Sequence, residues 1–107
     1  MTNEEFNYLV EDAIEDIRQT LSKKGEEYAY GDRLSNFKQA AEFLGCTPEQ
    51  ALWGFVTKHI VALGDFIREF PDKPISKKQW LEKTGDIRCY TILLEGLLWE
   101  RGVFDNA

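Results

Sequence analysis

The sequence predicts an all-α fold, a helical bundle of three long helices and one short helix forming a single domain over residues 1–107. Three observations carry that reading. Long stretches place apolar residues three and four positions apart, the spacing of one helix face. Three of these stretches open on capping boxes, Thr2 with Glu5, Thr47 with Gln50 and Ser76 with Gln79. Short connections join the helices, which enforces near-antiparallel packing of neighbours. At 12.4 kDa the chain is long enough for one core and too short for two.

The first helix starts at the Thr2 cap and buries Phe6, Leu9, Val10, Ala13, Ile14, Ile17 and Leu21. Its outer face carries Glu4, Glu11, Asp12, Glu15 and Asp16, which reads as a solvated surface with Arg18 in reach of Glu11 and Glu15. Cations suit a helix C-terminus, so Lys23 and Lys24 mark its end, with Gly25 as the cap. Residues 25–35 lack a period and read as a loop. Tyr28, Tyr30, Glu26, Glu27, Asp32 and Arg33 crowd between two glycines there, more chemistry than a connector needs, and the tyrosines suit either stacking on a base or packing on the bundle end. The loop is expected to border the same cleft as Asp86, with Asp32 or Arg33 directed inward. Ser35 caps a short helix through Phe37, Ala40, Ala41, Phe43 and Leu44 that ends at Gly45, and Asn36 sits in its first turn.

Thr47-Pro48-Glu49-Gln50 is the strongest local signal: Thr as cap, Pro at the first helical position and Gln at the third. The third helix buries Leu52, Phe55, Val56, His59, Ile60, Leu63, Phe66, Ile67 and Phe70, and Pro71 stops it. His59, the only histidine, has no second ligand at metal spacing and reads as a hydrogen-bonded core residue. Lys58 and Asp65 share an edge of that arc about 10.5 Å apart, where both face the cleft expected at Asp86. Residues 72–75 form a linker to the last helix.

That helix, from the Ser76 cap to Arg101, is the place to look for a site. Asp86, Cys89, Tyr90, Leu93 and Leu97 share one arc at about 100° per residue, with Ile87, Thr91, Leu94 and Leu98 beside them. Glu82, one turn before Asp86, points nearly the same way, so the two carboxylates are placed to share a cation or a proton. A carboxylate inside an apolar arc needs a metal, a base, a hydrogen-bonding network or a water-filled pocket. A structural Lys or Arg paired to Asp86, with Glu82 exposed, satisfies the same pattern. Leu81, Ile92 and Trp99 add a second apolar stripe with Gly85 and Gly96 beside it, which predicts a homo-oligomer, most simply a two-fold dimer.

Composition excludes other classes. Nineteen acids against 13 Lys and Arg give a net charge of −6, and no basic run offers a phosphate-neutralising footprint, so no direct nucleic-acid partner is expected. No apolar run reaches the roughly 18 residues of a membrane span, and the acidic start is unlike a signal peptide, so a cytoplasmic chain without a membrane partner is expected. Cys46 and Cys89 lack metal spacing and read as reduced thiols. Phosphate-loop, dinucleotide, HExxH and GxSxG patterns are absent, which leaves carboxylate chemistry.

Glu27-Tyr28, the run Gly31-Asp32-Arg33-Leu34-Ser35-Asn36-Phe37-Lys38 with Ala40-Ala41, Lys58-His59, and Glu82-Lys83 with Asp86-Ile87 and Tyr90 resemble small helical proteins encoded by phages and prophages. The resemblance spans residues 20–100. Those proteins are distantly similar to the all-α nucleotide pyrophosphohydrolases of the MazG and dimeric dUTPase type, which cleave nucleoside triphosphates with Mg²⁺ held by helix-borne acids. That superfamily pairs a Glu-Glu-x-x-Glu helix with a Glu-x-x-Asp helix. Here the second half is Glu82-x-x-x-Asp86, one residue longer, and the first is approximated only by Glu11-Asp12-x-x-Glu15. The resemblance implies catalytic Glu82 and Asp86, Mg²⁺ on Glu82, Asp86, Glu27 and Asp65, and a nucleotide held by Tyr28, Arg33, Asn36, Lys58 and Tyr90. Two functions follow as expectations: Mg²⁺-dependent nucleotide hydrolysis, or a non-catalytic phage accessory protein that binds a nucleotide or a host protein. A convergence of Glu82, Asp86 and an acid from another helix marks the first, and a lone Asp86 pinned by a Lys or Arg marks the second.

Overall fold

Three reciprocal capping boxes fix where the long helices begin. In each, the cap hydroxyl accepts from the backbone N–H three residues on while that residue's side chain accepts from the cap N–H: Thr2 with Glu5, Thr47 with Gln50 and Ser76 with Gln79, all at 2.9–3.2 Å. The computed structural model describes residues 1–27, 31–69, 72 and 74–105, and of Glu27 only the backbone. Among these the fold is all-helical, with α1 over Asn3–Glu27, α2 over Ser35–Leu44, α3 over Pro48–Glu69 and α4 over Lys77–Arg101. Phe70 and Pro71, the expected stop of α3, lie outside the described residues. No described helix is long and apolar enough to cross a membrane.

Two boundaries differ from expectation. Gly25 does not end α1, which continues to Glu27. The Arg33 guanidinium packs beside Gly25, its Nε 3.7 Å from where a Cβ would stand, an ordinary contact distance. Ser35 does not cap α2; the cap position is Leu34, and no side chain bonds there. Asp32 does the work two residues earlier, its Oδ1 accepting from the Leu34 N–H at 2.9 Å and its carbonyl from the Ser35 N–H at 3.1 Å. Gly45 and Gly102 close α2 and α4 in the left-handed region, at φ 68° and 74°, where glycine alone is unstrained.

Packing runs from α2 onto α3, α3 onto α4 and α4 onto α1. Contacts between α3 and α4 step in opposite directions: Glu49 with Arg101, His59 with Asp86, and the Phe66 ring with the Lys83 ammonium at 5.9 Å. These helices are therefore antiparallel. Along α1 and α4 the pairs advance together, Asp12 with Lys77 and then Lys24 with Asp86, so this packing is parallel. Parallel packing is available because the two helices are not consecutive. Asp12 and Asp16 thus belong to a helix contact through Lys77, where the sequence suggested open solvent.

The core is small and centred on α3 and α4. Leu34, Phe37, Leu52, Val56 and Leu97 are buried together, with Tyr90, Leu93 and Leu94 packed against them. Leu34 packs on α4 beside Gly96, with its Cδ1 3.5 Å from the position of an added Cβ. The expected core of α3 is only partly covered: Leu52 and Val56 are buried, while Phe55, Ile60 and Ile67 stay exposed. Ile60 and Ile67 keep 44% and 48% of their surface exposed.

Candidate functional site: a cation and aromatic cluster at Asp86

Along α4 the residues facing α3 step by three and four through Lys83, Asp86, Tyr90, Leu94 and Leu97, which carries Asp86 into the groove between the two helices. Two cationic or protonatable groups meet it there. Lys24 donates to Asp86 Oδ1 at 3.2 Å, and His59 Nε2 lies 3.7 Å from Oδ2. The groove is half-open, with 37% of the Lys24 side chain and 35% of that of Asp86 exposed. Partial burial works against the Lys24 charge, but the Asp86 hydrogen bond and carboxylate, with Tyr90 and Cys89, outweigh it and raise its pKa above the ordinary 10.5.

Tyr90 joins the ion pair to a ring cluster. Its ring lies 5.5 Å from the His59 ring and 6.0 Å from Lys24 Nζ, stacks on Phe55 at 6.4 Å and meets the edge of Phe37 at 6.2 Å. A cavity of about 150 Å³ opens against these rings, lined by Lys24, Arg33, Asn36, Phe37, Phe55, Tyr90 and Leu93. Four segments meet there: the end of α1, the turn into α2, the middle of α3 and the middle of α4. The turn places Arg33 because Asp32 is engaged beside it by the Leu34 N–H and by Lys38, which also donates to Glu100 at 2.8 Å. Those contacts, led by Lys38, hold the Asp32 carboxyl below its ordinary pKa. Beneath the cluster, burial pushes the Cys89 thiol up, with the Lys24 charge opposing, so it stays protonated.

The expected site residues separate into two groups. Arg33, Asn36 and Tyr90 come together on one cavity, with Asp86 close by through Lys24. Lys58 and Glu82 are exposed, and exposed Asp65 is held within α3 by Arg68, so neither Lys58 nor Asp65 faces the Asp86 groove. Lys58 and Asp65 fall on the flank of α3 away from α4, because their spacing puts them beyond the arc of Leu52, Val56 and His59. Tyr28, Tyr30 and the side chain of Glu27 lie outside the described residues.

Among the described residues no three His, Cys, Asp or Glu side chains converge to hold a metal ion. The donor set at Asp86 is one carboxylate with a lysine and a histidine, which does not fit Mg²⁺, a cation that takes oxygen ligands in a near-octahedral shell. The sequence reading missed Lys24. Its signal was present, since Lys24 continues the apolar row of Ile17 and Leu21 at seven and three residues, and a cation in such a row needs a counter-ion as much as Asp86 does. A scan against protein-family models finds no match, and neither curated proteins nor solved structures match the chain.

Proposed function

We propose that this chain binds a nucleotide, without hydrolysing it, at the cavity beside Tyr90. The observation that carries the reading is the convergence of Lys24, Arg33 and Asn36 with the Tyr90, Phe55 and Phe37 rings on one cavity, in a chain whose net charge is −6. A phosphate asks for a bidentate cation and a point charge, and an aromatic base asks for apolar ring surface with a hydrogen-bonding group beside it. The cavity supplies both kinds of group. Its volume, below the roughly 300 Å³ at which common ligand pockets begin, suits one ring or one phosphate, with the rest of the ligand outside. Asp86 acts here on Lys24, holding the ammonium charged and in place, and needs no metal to do so.

The test is thermal denaturation with a panel of nucleoside mono-, di- and triphosphates, each in excess EDTA and again in Mg²⁺, alongside an assay for released phosphate and pyrophosphate. A ligand at about 100 times its Kd adds about 2.7 kcal/mol to stability, on the order of 10 °C for a domain of this size. The expected result is such a shift in EDTA, lost in Arg33→Met, with no product released. A shift that needs Mg²⁺ and comes with product would return the pyrophosphohydrolase reading. No shift with any nucleotide would overturn both.

A further inference from the structure

Trp53, Ile60 and Ile67 recur every seven residues along α3, fall within an arc of about 40°, and are all exposed. Thr57 and Gly64 lie between them. The Thr57 hydroxyl is taken up by the Trp53 carbonyl at 2.9 Å, so that residue turns no unsatisfied donor outward. A side chain at Gly64 would meet only Arg68 Nη1, at 3.8 Å, so the strip has a shallow, open centre. None of its own five positions is ionisable over a length of about 21 Å, in a chain where 30% of residues are charged, and the one charge that reaches it is the Arg68 guanidinium beside Gly64.

The whole molecule is short of cover by an amount that a second copy can supply. Its accessible surface is 8241 Å², against roughly 6,100 Å² for a compact monomer of this mass. The excess, about 2,100 Å² per protomer, exceeds the roughly 800 Å² per partner of a standard interface, and twice it falls in the roughly 2,000–5,000 Å² total of obligate homodimers. Charge points the same way. A basic partner would be drawn to acidic surface, whereas a strip whose own residues carry no charge, flanked by Arg68 paired to Asp65, is what two copies of an acidic chain can bring together without strong repulsion.

We infer that the strip of Trp53, Ile60 and Ile67 is the centre of a two-fold interface with a second copy of this chain, α3 packing antiparallel on α3. Seven-residue spacing makes the strip self-complementary about Ile60: that residue meets its own copy, and Trp53 of each protomer meets Ile67 of the other. Trp53 supplies a large aromatic anchor on either side of the axis. This interface is independent of the nucleotide reading, since no residue of the strip lines the Tyr90 cavity.

The test is mass by light scattering across a dilution series, with two kinds of variant. The wild-type chain is expected at twice 12.4 kDa. Ile60→Asp, which sets two carboxylates against each other at the axis, is expected to weaken association by roughly 100-fold or more, with helical circular dichroism retained because Ile60 is 44% exposed in the protomer. In a Cys46→Ser background, Ile60→Cys is expected to join two copies through a short bismaleimide, while Val61→Cys, exposed and about 100° further round the helix, is not. A wild-type monomer at tens of micromolar, on the order of −6 kcal/mol or weaker, would overturn the inference and leave the strip to a different partner. A dimer that survives Ile60→Asp and gives no Ile60→Cys product would overturn it too.

Discussion

Asp86 shows what a single residue's surroundings decide. A carboxylate in an apolar arc was legible from spacing alone, but its partner was not, because the counter-ion comes from Lys24, 62 positions away. The pair is a third exposed, so solvent screens it and its contribution is small, about 1 kcal/mol or less. Asp86→Asn is therefore expected to lower the melting temperature by only a few degrees, to leave any response to Mg²⁺ unchanged, and to weaken nucleotide binding by loosening Lys24; calorimetry with and without ligand separates these effects. A variant that becomes more stable would point to carboxylate repulsion and return Glu82 to the site. The sign with pH follows from Lys24. Its folded pKa is raised, so the pair's contribution is complete below the unfolded value of 10.5 and is lost only as pH rises through the higher folded value.

At the scale of the helix, capping chemistry was the most readable feature, because Thr2-to-Glu5, Thr47-to-Gln50 and Ser76-to-Gln79 are local contacts that need no knowledge of the rest of the chain. The end of α1 was misread for the opposite reason: a glycine is compatible both with a cap and with a helix interior, and α1 continues past Gly25 to Glu27. The flank taken by Lys58 and Asp65 was likewise settled by which side of α3 packs on α4. One contact between elements has a definite pH signature. Arg101 at the end of α4 donates through Nε and Nη2 to both oxygens of Glu49 in the first turn of α3, at 2.7 and 2.6 Å. The bidentate hydrogen bond from Arg101 holds the Glu49 carboxyl below its ordinary 4.5, so the stabilisation is present above that value and is lost as pH falls through the lower folded pKa. Glu49→Gln should lower the melting temperature at pH 7 and make progressively less difference as the pH falls below 4.5; a loss that does not shrink with falling pH would show that the pair acts through packing.

For the molecule as a whole, the fold class followed from periodicity, whereas coverage did not, since a sequence specifies which faces are apolar and not which are filled. Ile60 and Ile67 read as core beside Leu52 and Val56, yet only the latter two are buried, because α2 and α4 cover the other part of the arc. The radius of gyration, 16.3 Å against about 13 Å for a compact chain of this length, expresses the same shortage. So small a core makes each member count. Leu52, fully buried, should cost about 3–5 kcal/mol when cut to alanine, a large part of the 5–15 kcal/mol typical of a domain. Urea unfolding would measure it, and a loss under 1 kcal/mol would mean that the site collapses around the smaller side chain.

Among the helices α1 is held most lightly, packing on α4 alone, with Asp12 and Lys77 toward one end and Lys24 and Asp86 toward the other. It also delivers the ammonium that lines the cavity. Undocking of α1 therefore removes Lys24 from the site, and an anion that engages Lys24 must in return hold α1 down by its own binding free energy. Under the proposed binding, detachment of this arm and emptiness of the cavity would be two faces of one equilibrium, with ligand concentration setting how often the protein opens.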